Sequence, residues 1–249
     1  MRARKPLAID LYAGLGGWTE GLLAEGYDVV GFDIEAHQYG EHRYPAQLVI
    51  QDVLTLHGSQ FKDAALIVAS PPCQAYSYRA MPWSRAKALP PPDNGLFNAC
   101  FRIQREAIEA AGHHIPLVVE NVRCAQKWVG RARWNFGSFY LWGDVPALMP
   151  HTFKGVKVGE LTHGRFPPGG LAQGHLDGIK GVPHRTAGRW TNPAEHEGVK
   201  NGNDWFGSGV DCSAQRRHQS GSTARKAASA MIARIPSPLA RHIARTYHP

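Results

Sequence analysis

Two short stretches, "PPCQAYS" and "VVENV", hold residues that could act on one target. Cys73 follows the apolar run "AALIVA" and the stiff pair Pro71–Pro72, and polar Gln74, Tyr76 and Ser77 surround it. A thiol presented rigidly at a strand end suits a nucleophile. The commoner fate of a cysteine is a small buried apolar residue, and Cys100 and Cys124 are expected to be of that kind. Glu120 and Asn121 end a second apolar run, where polar groups need partners. They could cap a neighbouring loop, or Glu120 could place a carboxyl group beside Cys73 and hydrogen-bond or protonate a ring nitrogen of a bound base.

A third stretch, "DLYAGLGGWTEG", puts Gly14, Gly16 and Gly17 between a strand and a helix. Glycines there permit positive φ and close approach of a ligand to the backbone. Their spacing departs from the dinucleotide fingerprint, because Gly21 falls four residues after Gly17. Asp33 ends the next strand, where a carboxylate can accept hydrogen bonds from ribose hydroxyls. Ile34 could lie on a base, and Asp52, after a third strand, could take an adenine amino proton. Each aspartate could also be a plain strand-end turn residue.

The elements that must position these groups alternate. "LAIDLYAG", "YDVVGFDIE", "LVIQDV", "ALIVAS", "PLVVENV" and "GSFYLWGDV" read as strands. "GWTEGLLAEG", closed by Gly26, and "LFNACFRIQREAIEAAG", closed by Gly112, read as helices, as does "AHQYGEHRY" before Pro45. This pattern predicts an α/β fold with a doubly wound, mainly parallel sheet, whose ligands bind at the carboxyl ends of the strands. Residues 144–221 read as a small loop-rich insert: 14 of the 71 residues from His151 to Gly221 are glycine and no period appears. Residues 222–249 return to helical pattern, capped by Ser222 or Thr223 and with Pro236 near the start of the last helix. They are expected to pack back on residues 1–143.

Composition narrows the class. The 249 residues carry four cysteines, no C-x-x-C pair, no long apolar run and no signal-peptide segment. A cytoplasmic protein with reduced thiols and no metal site is expected. The net charge of +8 favours polyanionic partners.

Taken in order, "DLYAGLGGWTEG", "FDIE", "QDV", "PPCQAYS" and "ENV" resemble the successive motifs of the cytosine-C5 DNA methyltransferases, over most of residues 7–143. The resemblance implies a Rossmann-like methyltransferase fold with a recognition insert, and S-adenosylmethionine as cofactor, released as S-adenosylhomocysteine. By motif position Asp10, Tyr12, Gly14, Gly16, Gly17 and Pro71 resemble contacts of the cofactor pocket, Asp33 and Ile34 those to ribose and adenine, and Asp52 that to the adenine amino group. It further implies that Cys73 adds to C6 of a cytosine flipped from double-stranded DNA, that Glu120 beside Asn121 holds N3, and that C5 then takes the methyl group. The small size of the chain would suit a compact enzyme of phage type, and a monomer in a bacterial or phage-infected cell is expected.

Some features depart from the family pattern. Its arginine-x-arginine motif lies just before a late strand, whereas Arg131 and Arg133 fall a few residues early. The C-terminal glycine-asparagine is missing, which leaves Ile235 and Pro236 as weak candidates for cofactor packing. Closure over the base is expected from residues 75–95, with Arg79, Arg85 and Lys87 toward phosphate. In the insert, Arg165, Arg185, Arg189, Arg216 and Arg217 could reach phosphates or guanine edges. The same chemistry on RNA and a non-catalytic DNA-binding relative are the alternatives. A nicotinamide dehydrogenase would leave Cys73 and Glu120 without a role.

Overall fold

A computed structural model describes residues 4–77, 89–150, 226–227, 230–231 and 233–249. The expected closing arginines and lysine, the insert arginines and the Ser222/Thr223 cap lie outside the described residues. Residues Met1–His151 and Arg234–Pro249 form one compact unit and Thr152–Ala233 a second.

The first unit is built on a sheet of seven strands. They are β1 (Leu7–Leu11), β2 (Asp28–Asp33), β5 (Gln47–Ile50), β6 (Ala64–Ala69), β7 (Leu117–Asn121), β8 (Trp134–Phe136) and β9 (Phe139–Gly143), in the order β5-β2-β1-β6-β7-β9-β8. The first five are mutually parallel; β9 runs antiparallel to both β7 and β8. Strand order reverses between β1 and β6, so the ends of these two strands flank the switch point where doubly wound sheets bind ligands. Ala8, Leu66, Ile67, Val68, Leu117, Val118 and Val119 are wholly buried, as strands covered on both faces require.

One face carries α1 (Gly17–Ala24) and the last helix, α4 (Ser237–Thr246). Their contact is close because α1 presents glycine: a Cβ at Gly17 would overlap the Ile235 backbone, and one at Gly21 would lie within 2.7 Å of the Ala240 carbonyl carbon. Glu25 then bridges Arg241 Nε (2.6 Å) and Arg245 Nε (2.8 Å). Hydrogen bonds from Arg245 and Arg241 hold its carboxyl at about 2. The other face carries α2 (Gly95–Ala111), which ends at Gly112 with φ 73. The short α3 (Gln126–Val129) follows β7.

Two expectations change. "AHQYGEHRY" is not helical but a hairpin, β3 (Gln38–Tyr39) and β4 (His42–Arg43), turned at Gly40 with φ 60; a tight hairpin requires that angle and a helix cannot hold it. The expected last strand is the second arm of the β8–β9 hairpin, turned at Gly137 with φ 59. Among the described residues no helix is long and apolar enough to cross a membrane, and no His, Cys, Asp and Glu cluster could hold a metal ion.

Candidate functional site

The site grows from the carboxyl ends of β1, β2, β5, β6 and β7. After β1 the chain enters a left-handed conformation at Tyr12, φ 60, the one non-glycine residue of that kind among those described. A left-handed L-residue costs roughly 1–2 kcal/mol. Here the Tyr12 hydroxyl is anchored, donating to the Leu96 carbonyl at 2.7 Å. Gly14 (φ 53) donates its N–H to Asp33 Oδ2 at 2.9 Å, and Gly16 (φ 78) opens α1.

The three glycines of the turn serve different ends. A Cβ at Gly16 would overlap Pro45, and one at Gly17 the Ile235 backbone, so protein fills both directions. At Gly14 the nearest atom is the Tyr12 carbonyl oxygen at 3.9 Å.

Beneath the turn lies a polar chain that sequence reasoning missed. Thr19 Oγ1 donates to Asp10 Oδ2 at 2.6 Å, so the Tyr44 hydroxyl, also 2.6 Å from Thr19 Oγ1, donates in turn. Asp10 is 1% exposed, and burial pushes its carboxyl up to about 8. It faces Thr19 from below the turn. The one sequence signal was a hydroxyl, Thr19, on the buried side of α1 between Trp18 and Leu22; Tyr44 arrives from the hairpin and had none.

At the next strand ends Asp33 accepts from Gly14 N–H and, at 3.4 Å, from Glu35 N–H, while His37 Nε2 stands 3.6 Å from its Oδ1. Burial works to raise the Asp33 pKa; the His37 and Gly14 hydrogen bonds outweigh it and hold the carboxyl below its usual range. The same pairing raises His37, another residue that sequence reasoning missed. Ile34 projects from this corner 69% exposed, and Ile50, which pairs with Asp33 on the neighbouring strand, is exposed too. Asp52 Oδ1 caps a short helical turn by accepting from Leu54 N–H at 2.9 Å. That turn is fixed from outside by Arg102, whose guanidinium donates to the Leu56 and Leu54 carbonyls at 2.9 and 3.2 Å.

Across the switch point the cysteine turn meets the end of β7. Ala69 pairs with Val119, so the chain leaves β6 beside Glu120. Asn121, 1% exposed, donates Nδ2–H to the carbonyl of buried Pro71 at 2.9 Å and accepts from Val122 N–H at 2.8 Å. Cys73, half-buried, sits in a tight turn whose carbonyl accepts from Tyr76 and Ser77 N–H, each at 3.0 Å. The Tyr76 hydroxyl donates to Asn94 Oδ1 at 2.9 Å, and Asn94 donates to the Trp128 carbonyl. Glu120 is 8% exposed. Cys100 is buried as expected; Cys124 is exposed, because the helical turn after β7 points it outward.

Arg131 and Arg133 are exposed. Arg133 N–H bonds the Leu141 carbonyl at 2.8 Å, directly ahead of β8, and Leu141 pairs with Glu120. The two arginines therefore do precede a strand, β8. Ile235 is buried against α1, with Pro236 capping α4.

Residues 7–125 match the family model "C-5 cytosine-specific DNA methylase". No curated protein matches the chain. Among solved structures it is similar to a candidate DNA modification methyltransferase encoded within a prophage of E. coli (25% identity, TM-score 0.35, 49% of this chain and 33% of that one). It is also similar to the S. pombe Dnmt2 methyltransferase (17%, TM-score 0.34, 51% and 37%). A third is a 16S rRNA (adenine(1408)-N(1))-methyltransferase from Catenulisporales acidiphilia, solved with the cosubstrate SAM (13%, TM-score 0.29, 51% and 56%). The chain thus spans about a third of the length of the first two.

Proposed function

Because residues 7–125 belong to the C-5 cytosine-specific DNA methylase family, we propose that this chain methylates C5 of cytosine in double-stranded DNA. The methyl donor is S-adenosylmethionine, and the route is a covalent Cys73 adduct on a base turned out of the helix. The observation that carries the reading is the Asn121–Pro71 hydrogen bond, which locks the cysteine turn to the strand end bearing Glu120.

The chain's residues fit the cofactor. Asp33 offers an ionised carboxylate at a strand end, Ile34 an exposed apolar face beside it, Gly14 open backbone, and Asp52 an exposed carboxylate one strand further. Asp10 acts from below, through Thr19, as a positioning residue for the turn. Bound there, S-adenosylmethionine supplies an electrophilic methyl group.

Cys73 gives up its proton and its sulfur adds to C6, so the S–C6 bond forms as the C5–C6 double bond opens. Glu120 protonates N3 as charge flows into the ring, which keeps that charge from standing bare. C5 gains the electron density it needs to become a nucleophile. After methylation a base removes the C5 proton, the C5–C6 double bond re-forms as the C6–S bond breaks, N3 returns its proton to Glu120, and the thiolate is restored. Arg131 and Arg133, set before β8, hold the far side of the base. Turning the base out costs a few kcal/mol of lost stacking, which the protein must recover in contacts to the base and the backbone.

Methyl transfer from labelled cofactor to duplex DNA and to RNA of the same sequence tests the reading. DNA should be labelled at cytosine C5, and Cys73→Ala should abolish turnover while retaining cofactor binding. Label on RNA alone would overturn the substrate, and full turnover by Cys73→Ala would overturn the covalent route.

A further inference from the structure

The segment that follows β7 carries two cations, Arg123 and Lys127, that the mechanism above does not use. From Val122 to Trp134 the sequence holds four cations, Arg123, Lys127, Arg131 and Arg133, and no acid. The whole chain runs 28 cations to 20 acids, so an unbroken local excess of four is not its average texture. All four are exposed, and among the described residues none takes part in an ion pair.

The backbone beneath them is fixed at close intervals. Asn94 Nδ2 donates to the Trp128 carbonyl at 3.2 Å, Ala132 N–H to Gln126 Oε1 at 3.1 Å, Trp142 Nε1 to the Gly130 carbonyl at 2.9 Å, and Arg133 N–H to the Leu141 carbonyl at 2.8 Å. Arg123 and Lys127 stand four residues apart along consecutive helical turns, a spacing that puts side chains on one side of a helix. Lys127 Nζ lies 4.6 Å from the Trp128 ring centroid, and Trp134, 41% exposed, offers a stacking face beside Arg133.

We propose that Arg123 and Lys127 bind backbone phosphates of duplex DNA next to the flipped base, extending the Arg131–Arg133 corner into one cationic strip along the edge that carries Glu120. This rests on the DNA-methylating reading above. A fixed row of cations without acids is suited to a linear polyanion, because each phosphate contact releases a condensed counterion and little backbone entropy is lost. It carries no base code of its own, so it would set register and affinity, not recognition sequence.

The test is the salt dependence of duplex binding by the full chain, wild type against Arg123→Gln/Lys127→Gln. A control, Lys5→Gln/Lys62→Gln, removes two exposed cations just ahead of β1 and β6, at the opposite ends of the strands. Two lost phosphate contacts should make the slope of log K against log salt shallower by about 1.8. Between about 50 and 200 mM salt, wild-type affinity should then fall roughly twelvefold more than the double variant's. The control pair should keep the wild-type slope, and equal unfolding midpoints should exclude misfolding. If wild type methylates DNA but the double variant keeps its slope, or the control shifts equally, this inference alone is overturned. If wild type shows no salt-dependent duplex binding, it falls together with the reading it rests on.

Discussion

Replacing Asn121 by Asp is the sharpest probe of the site, because it leaves the side-chain shape and removes one donor. In the native chain Nδ2–H meets the Pro71 carbonyl at 2.9 Å, while Oδ1 accepts from Val122. The second bond survives the substitution; the first becomes an ionised oxygen facing a carbonyl oxygen. The bond itself is worth about 1 kcal/mol net, and an unsatisfied buried carbonyl costs roughly 1–3 kcal/mol more. If about 2–3 kcal/mol of this is expressed as misplacement of Cys73, kcat falls roughly 30- to 150-fold. The new carboxyl would lie where Asn121 is 1% exposed, so burial should raise its pKa, and once protonated it can again donate to Pro71. Activity of Asn121→Asp, as a ratio to wild type, should therefore recover as pH falls, while Asn121→Ala, with no donor at any pH, stays low throughout. Single-turnover methyl transfer at saturating cofactor and DNA, from pH 5.5 to 8.5, reads both. Rates for both variants within about threefold of wild type would refute the view that this bond positions the nucleophile.

Two further substitutions test the scaffold. Gly21→Ala gains about 1 kcal/mol of helix propensity but drives a methyl into the Ala240 backbone; with overpacking costing about 1–3 kcal/mol, urea unfolding should show a net loss, and unchanged stability would mean that α4 does not seat on α1 so closely. Asp10, raised to about 8 by burial, stays protonated in the fold while the unfolded chain ionises near 4, so its burial costs increasingly more from pH 4 to 8. Asp10→Asn should accordingly gain stability relative to wild type across that window, and a difference flat with pH would show that Asp10 is ionised in the fold.

Four of the five parallel strands, β1, β2, β6 and β7, were legible because strands covered on both faces are written as apolar runs, and β5, an exposed edge strand, by the short run Leu48–Ile50; the polar residues Asp33, Asp52, Cys73 and Glu120 stand out at or just past their ends. The hairpins were not, since β3 and β4 are two residues each and β8 three, too short for any period to show. That omission bears on the arginines: measured against β9 alone, Arg131 and Arg133 fall a few residues early, whereas β8 begins directly after Arg133. The Tyr44–Thr19–Asp10 chain was hidden for a different reason. Its members come from a hairpin, a helix and a strand, and nothing local marks a tyrosine as the partner of a distant threonine.

The glycine turn shows where a correct signal admits two physical causes. Gly14, Gly16 and Gly17 look alike in the sequence, and each suggests close approach of something to the backbone. At Gly16 that something is Pro45, which the β3–β4 hairpin delivers together with Tyr44; at Gly17 it is Ile235, delivered by the C-terminal segment. Two of the three glycines therefore fix the turn by letting remote parts of the chain press on it, which in turn holds Gly14 N–H on Asp33. A larger residue at Gly16 or Gly17 would disturb the Gly14–Asp33 corner, where we propose that the cofactor binds, without touching any ligand, because the packing and that corner share one short loop.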